Sequence, residues 1–282
     1  MSVSKEIKQK HIEMFYPTVR VRTQRAGGSG TVVYSKKNEK DGEVYTYVIT
    51  NQHVVSDNIK VTKKWNPVLK RKVDTEILDT VSVEYFRYNN YSNCIGSFAV
   101  EADIVAYSEC EGGQDWALLR VRDTENTCDY VANLFPMEDI GDVHIFDPVY
   151  AVGASLGHPP IASEGIITYM DDEIDHYKYW MSSAQTIYGN SGGACYRYSS
   201  KRKQYDWIGV PSRISVAPSG FSSDAITHMG YFIPIERIYS LLDENHFNFI
   251  YDDKYTIEDC AKLRGETQDP KKQKDDSEED SK

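Results

Sequence analysis

A glycine-flanked serine at residues 189–193, with the sequence Gly-Asn-Ser-Gly-Gly, most constrains what this chain can fold into. Two other segments precede it: residues 48–55, VITNQHVV, which contain His53, and residues 115–119, DWALL, which begin with Asp115. Each segment alone has an ordinary explanation, because Asn-Ser-Gly-Gly is common in turns and single His or Asp residues are usually structural or solvated. All three polar residues stand beside strongly apolar runs, in one order and at similar intervals. This combination indicates a shared site built on β-strands.

The chemistry of a nucleophilic serine explains why these residue types would occur together. A serine hydroxyl needs an adjacent base to take its proton, a third group to orient that base, and N–H donors for the developing oxyanion. We predict Ser191 as nucleophile, His53 as general base and then acid, and Asp115 as the orienting carboxylate. Gly189 can adopt a backbone conformation that turns its N–H inward. Its N–H and that of Ser191 are the predicted oxyanion hole.

These motifs resemble the chymotrypsin clan of serine peptidases, and within it the HtrA/Deg-like peptidases. The order His, Asp, Ser is that of the trypsin fold, whereas α/β-hydrolases run Ser, Asp, His. The resemblance covers roughly residues 17–246: residues 28–33 resemble the glycine-rich first-strand signature, and 49–55 the histidine motif. Tyr188 departs from the proline usual before Gly-Asn-Ser, and no sequence that could form a PDZ domain follows.

The resemblance implies an all-β fold: two six-stranded antiparallel β-barrels with the site between them, a short N-terminal helix and a C-terminal helix. In the second helix, Ile238, Leu241 and Leu242 have helical spacing. The predicted segments are an N-terminal helical extension (1–16), a first barrel (17–122) with an insertion at about 60–97, an interdomain linker (123–145), a second barrel with the C-terminal helix (146–246), a C-terminal extension (247–264) and a disordered acidic tail (265–282).

The resemblance also places a primary specificity pocket just before Ser191 and on the strands that follow it. The predicted pocket residues are Gln185, Ile187, Tyr188, Val210, Arg213 and Phe232. The apolar members favour a medium-sized apolar substrate side chain, whereas Gln185 and Arg213 leave a polar or acidic one open. Because no aspartate lies near Gln185, a preference for Arg or Lys is not predicted.

Composition excludes several other classes of protein. The net charge of −11 argues against general nucleic-acid binding, and no stretch of about 20 apolar residues predicts a membrane span. The five cysteines are odd in number and scattered, so neither a disulfide framework nor a zinc site is expected. We expect no cofactor and no metal. The first residues lack the apolar core of a secretion signal, so we expect a cytoplasmic protein, or one in the virion or host cytoplasm if virus-encoded.

The predicted function is a serine endopeptidase that cleaves peptide bonds through an acyl-enzyme intermediate, with a protein or peptide as substrate. One alternative is a latent or inactive protease-fold module that binds peptides or a scaffold partner; another is a viral or phage processing protease. A protein partner or regulator could bind through the insertion at 60–97 or the acidic tail. The tail, residues 265–282, has too few apolar residues to form a core.

Overall fold

The computed structural model describes residues 3–67, 70–108, 113–219 and 222–266. The fold is mostly β, which confirms the predicted class. The strands are β1 Thr18–Arg22, β2 Gly27–Lys37, β3 Val44–Thr50, β4 Ile59–Asn66, β5 Arg71–Leu78, β6 Val81–Asn89, β7 Asn93–Tyr107, β8 Ala117–Val121, β9 Asn133–Leu134, β10 Pro148–Gly153, β11 Ile161–Ile174, β12 Tyr177–Ser182, β13 Ala194–Ser199, β14 Gln204–Ser219 and β15 Ser222–Pro234. The helices are α1 Lys5–Lys10, α2 Gln52–Val55, α3 Ile235–Glu244 and α4 Ile257–Leu263.

The first barrel closes from six strands in the order β1-β2-β3-β8-β7-β6. The short strand β1, with the sequence TVRVR, illustrates how the residue pattern produces the strands of this barrel. Val19 and Val21 are fully buried in the barrel core, while the alternating Arg20 and Arg22 lie on the opposite face. This period of two is the signature of a strand with one buried face.

The second barrel is built from β10 to β15. Its strands are connected in the order β13-β10-β11-β12-β15-β14, and the pairing of β13 with β14 closes the ring. β9 adds a short parallel edge to β14. Trp180 and Trp207 are fully buried and supply the bulk of apolar packing that a closed barrel interior requires.

The predicted insertion at 60–97 differs from the structure at its second boundary. Strands β4 and β5 pair only with each other, in a separate two-stranded sheet that ends at Leu78. β6 and the start of β7 belong to the first barrel. Val81 and Val83 are buried, but the tyrosine-rich continuation of β6 reaches beyond the barrel and is largely exposed or half-buried. In sequence, this exposed part of β6 therefore looks like an insertion, although the same strand begins in the core of the first barrel.

Short helices flank the strands, as the resemblance implied. Ser4 caps α1 by accepting a hydrogen bond from the Ile7 N–H at 3.2 Å, and the helix continues as a π-helical turn over His11–Phe15. The chain divides into two compact units, 1–238 and 239–282. The second unit contains the end of α3 and the helix α4, which the sequence analysis did not predict. None of the described helices is long and apolar enough to cross a membrane.

Candidate active site

His53 lies in the one-turn helix α2, immediately after β3. Its ring Nδ1 is 2.9 Å from each carboxylate oxygen of Asp115, and its backbone N–H donates to Asp115 Oδ1 at 3.0 Å. The histidine side chain is 48% exposed, whereas that of Asp115 is 13% exposed. The Nδ1 edge of the imidazole is thus fixed by a largely buried carboxylate, and the rest of the ring remains accessible from the cleft.

Asp115 lies two residues before the start of β8 and has a left-handed backbone conformation, with φ of 52°. The Asn51 side-chain amide donates to its carbonyl oxygen at 2.7 Å, which holds this uncommon conformation. The Ser212 hydroxyl donates to Asp115 Oδ2 at 2.5 Å. Ser212 belongs to β14 of the second barrel, so both barrels contribute to holding this carboxylate.

Ser191 lies in the turn between β12 and β13. Gly192 has φ of +83°, and a Cβ at this position would stand 2.3 Å from Thr50 Oγ1. A Cβ on Gly28 would stand 2.6 Å from the Val54 side chain and 2.9 Å from the Ser191 carbonyl oxygen. The fold therefore brings the turn of Ser191 against the segment that carries His53. Within the described part of the chain, no hydrogen bond joins the two side chains.

The backbone N–H groups of Gly189 and Ser191 make no hydrogen bond within the described residues. Gly189 has φ of +96°, and any Cβ there would lie 2.6 Å from the carbonyl oxygen of Ala154. The Tyr188 carbonyl accepts a hydrogen bond from the Leu156 N–H at 2.8 Å. Since the carbonyl and N–H of a trans peptide point in opposite directions, the Gly189 N–H points away from the turn at 154–157. Neither donor is therefore occupied by a described residue, and that of Gly189 is turned away from the neighbouring turn.

Ser29 is a residue of this region that the sequence analysis did not identify. Its hydroxyl donates to the Gly189 carbonyl at 2.6 Å and accepts from the Ala154 N–H at 2.7 Å. Its backbone N–H donates to the Ser191 carbonyl at 2.8 Å. β2 of the first barrel therefore holds the serine turn directly. The only sequence signal was its place in the glycine-rich segment at 28–33.

The six predicted pocket residues do not share one environment. Val210 and Phe232 are 0% and 2% exposed, so their side chains pack in the second barrel. Arg213 forms an ion pair with Asp175 at 2.9 Å and lies over the Tyr179 ring. In the segment before Ser191, Ile187 is half-buried, whereas Gln185 and Tyr188 are exposed.

Thr186, a buried threonine between Gln185 and Ile187, was not among the predicted pocket residues. The Thr186 N–H donates to the Thr227 carbonyl at 2.8 Å, and a Cβ on Gly230 would lie 2.1 Å from Thr186 Oγ1. This hydroxyl oxygen is buried without a hydrogen-bond partner in the described residues. The segment that precedes Ser191 is therefore anchored to β15 through Thr186 and its close contact with Gly230.

Comparison with known proteins places the chain in a family. The profile of the trypsin-like peptidase domain matches residues 28–202, more than half of the chain and all three motifs. The chain belongs to the trypsin-like peptidase family. In this trypsin-like peptidase, the matched range runs from β2 to the end of β13 and leaves out β1, β14 and β15. A comparison with curated proteins found no similar sequence.

Solved structures of an HtrA-type protease and of a serine endoprotease share the fold of this trypsin-like peptidase chain. One, described as "HtrA-type protease AlgWS227A with tripeptide", aligns with a TM-score of 0.55 and 17% identity, over 89% of this chain and 65% of its own length. Another, a serine endoprotease from Yersinia pestis, aligns with a TM-score of 0.55 and 19% identity, over 86% of this chain and 67% of its own. The chain thus spans about two thirds of the length of these structures.

Proposed function

We propose that this trypsin-like peptidase is a serine endopeptidase that works through an acyl-enzyme intermediate. The observation that carries the proposal is the His53–Asp115 pair, whose segment lies against the turn of Ser191 and its two unengaged N–H groups. A base, its orienting carboxylate, a serine hydroxyl and an anion-binding turn are the parts that peptide hydrolysis needs.

In the proposed mechanism, His53 takes the proton of the Ser191 hydroxyl as its oxygen attacks the scissile carbonyl carbon. The carbonyl oxygen becomes an oxyanion and accepts hydrogen bonds from the N–H groups of Gly189 and Ser191. His53 then gives its proton to the leaving amine, the C–N bond breaks, and an ester to Ser191 remains. Water attacks that ester with His53 again as base, and the products are an acid and an amine.

Asp115 supports this cycle without exchanging a proton. It fixes the imidazole ring through Nδ1, leaving Nε2 for the serine, and its negative charge stabilises the imidazolium that forms. The hydrogen bond from Ser212 and that from the His53 N–H hold the carboxylate in place. The proposed substrate is a protein or peptide bound in an extended form across the cleft.

A latent peptide-binding module is the second candidate, and one observation favours it. No hydrogen bond joins His53 and Ser191 within the described residues, so the base does not engage the nucleophile in this conformation. Catalytic hydrogen bonds often tighten only in complexes with substrate. An active peptidase and a latent one therefore differ in whether substrate binding brings the two side chains together.

Cleavage of a quenched fluorescent peptide library by the full chain separates these functions. The peptidase proposal predicts cleavage by the wild type and its loss in Ser191→Ala, with comparable loss in His53→Ala. Tyr198→Phe, on an exposed ring of β13, is the control and should retain activity. If Ser191→Ala and the wild type bind library peptides equally and neither cleaves, the chain is a binding module instead.

A further inference from the structure

A second recess lies beside Gly189 and shares only Tyr188 with the residues predicted to form the primary pocket. It is an open cavity of about 420 Å³, lined by Arg20 and Arg22 of β1, by the start of β2, and by the turn that contains Leu156 and Gly157. Tyr188 and Gly189 form its remaining wall. Of the six predicted pocket residues, Tyr188 alone takes part in this lining. The cavity therefore borders the proposed oxyanion site from a different side.

The register of β1 explains why two arginines face this cavity. Arg20 and Arg22 are two residues apart on one strand, so their side chains leave the same face, opposite the buried Val19 and Val21. Arg22 pairs across the ladder with Gly27, which has no side chain. The space next to the Arg22 side chain is therefore open, and the cavity occupies it.

The cavity wall carries more positive than negative charge. Arg20 is held by Glu84, through its Nε at 2.7 Å, and by the Gly157 carbonyl. Arg22 is 59% exposed, and its Nη1 lies 3.7 Å from the same carboxylate. Two guanidinium groups thus share one acid, and none of the described residues that line the cavity is acidic.

Glu84 remains ionised, and its two carboxylate oxygens already accept hydrogen bonds from Arg20 and Ser97. Burial raises the pKa of its carboxyl group, but hydrogen bonds from Ser97 and Arg20 and the charges of both arginines outweigh that effect, so the pKa lies below its ordinary value. Two guanidinium groups and one carboxylate therefore leave a net positive charge beside the cavity, and Arg22 is the more exposed arginine and makes the longer contact with Glu84.

Two exposed apolar side chains border the same cavity. Tyr188 is 65% exposed and Leu156 is 64% exposed, the latter in a left-handed conformation with φ of 52°. An exposed apolar rim around a cationic wall is typical of a site that binds a polypeptide segment and pairs with one of its charges. A low-dielectric rim also strengthens the attraction between Arg22 and an anion.

We propose that this cavity binds an aspartate or glutamate side chain of the substrate, in the residues that follow the scissile bond. This inference rests on the proposed peptidase function, because it takes the scissile carbonyl to lie at Gly189 and Ser191. A chain held on one side by the primary pocket continues past Gly189 towards β1 and the 154–157 turn. Arg22 is the specificity-determining residue, and Arg20 shapes the cavity through Glu84.

The test compares matched peptides that carry Glu, Gln or Lys at each of the three positions after the cleaved bond. With the wild type, kcat/KM for the best Glu peptide should exceed that for its Gln counterpart about fivefold, as expected for one partly exposed ion pair of ~1 kcal/mol. Arg22→Gln should bring this ratio close to one, and Arg22→Glu should favour Lys. Higher salt should reduce the wild-type ratio. A ratio unchanged in Arg22→Gln overturns the proposal.

Arg25→Gln is the matched control. Arg25 is an exposed arginine in the turn between β1 and β2, three residues after Arg22, and it does not line the cavity. It should keep both the activity and the preference for Glu. Binding of the same peptides to full-length Ser191→Ala, followed by fluorescence anisotropy, separates this inference from the catalytic proposal. A Glu preference that disappears in Ser191→Ala/Arg22→Gln supports the cavity even if the wild type cleaves nothing. Equal binding of Glu and Gln peptides contradicts it.

Discussion

The hydroxyl of Ser29 donates to the carbonyl of Gly189 across 160 positions of sequence, at 2.6 Å. This bond joins a strand of the first barrel to the turn that presents the candidate nucleophile in the second. The same hydroxyl accepts a hydrogen bond from the Ala154 N–H, so Ser29 holds both the turn at Gly189 and the neighbouring segment at Ala154. The orientation of the proposed oxyanion hole therefore depends on a residue of the opposite barrel.

Ser29→Ala should lower kcat by more than its loss of stability alone would explain. Loss of the hydroxyl leaves the Gly189 carbonyl and the Ala154 N–H without this partner, at about 1–3 kcal/mol of unfolding free energy. Ser35→Ala is the control, because Ser35 lies on the same strand, accepts the Cys128 N–H at 2.8 Å and pairs with Thr46, away from the site. Urea unfolding and steady-state kinetics should show similar destabilisation but a kcat defect only in Ser29→Ala. Equal kcat in the two variants would contradict a positioning role.

Gly189→Ala should reduce kcat/KM by about 10²- to 10³-fold, the usual effect of losing one oxyanion donor. An added Cβ would lie 2.6 Å from the Ala154 carbonyl oxygen and would force the turn to move. Gly42→Ala isolates the backbone strain, since Gly42 also has positive φ, of 78°, but nothing lies within 4 Å of its Cβ position. Steady-state kinetics of both variants check this; a Gly189→Ala enzyme as active as Gly42→Ala would remove Gly189 from the oxyanion site.

Ser212→Ala should lower kcat roughly tenfold with little change in KM. The variant removes a hydrogen bond to the Asp115 carboxylate, and such bonds to charged groups contribute about 1.5–3 kcal/mol. Ser212→Thr keeps the hydroxyl and should restore most of the rate. If Ser212→Ala and Ser212→Thr have the same kcat as the wild type, the carboxylate does not need this support.

Stability should fall on acidification because of His11. Burial lowers the pKa of its imidazole, opposed by a backbone hydrogen bond with Tyr91, and its ring packs against those of Phe15 and Tyr88. The unfolded chain then binds a proton more readily than the folded one, so this loss begins as pH falls below about 6.5, the ordinary histidine value. His11→Phe should weaken the loss of unfolding free energy between about pH 7.5 and 5, measured in urea.

The exposed His158 provides the matched comparison for that experiment. His158→Gln should leave the pH dependence of unfolding as it is in the wild type. A His11→Phe protein whose unfolding free energy falls with acidification as steeply as that of His158→Gln would show that His11 does not carry the effect.

The sequence predicts the parts of this molecule whose signals are local. Strand β1 is legible because Val19 and Val21 alternate with arginines, and the three motifs keep their residues within a few positions of an apolar run. The His53–Asp115 contact follows from the order of those motifs. The fold class and the flanking helices follow from the resemblance that the motifs support.

Contacts between distant segments are not predictable in the same way. Ser212 meets Asp115 across 97 positions, and a serine within a strand gives no sign of such a partner. Val210 and Phe232 were predicted to line a pocket, yet their side chains are buried, because a shift of one residue along a strand exchanges its two faces. To predict the recess at Arg22, one must know that Arg22 lies opposite Gly27 in the β1–β2 ladder. That register is seen only in the folded barrel.

Labelling with a fluorophosphonate, followed by peptide mapping in a mass spectrometer, identifies the nucleophile of this peptidase. A Ser191 activated by His53 should give a single covalent adduct on Ser191, absent in Ser191→Ala and strongly slowed in His53→Ala, while Ser183→Ala labels like the wild type. An adduct on another serine, or labelling of Ser191 at the same rate with and without His53, would contradict the assignment of Ser191 as a nucleophile activated by His53.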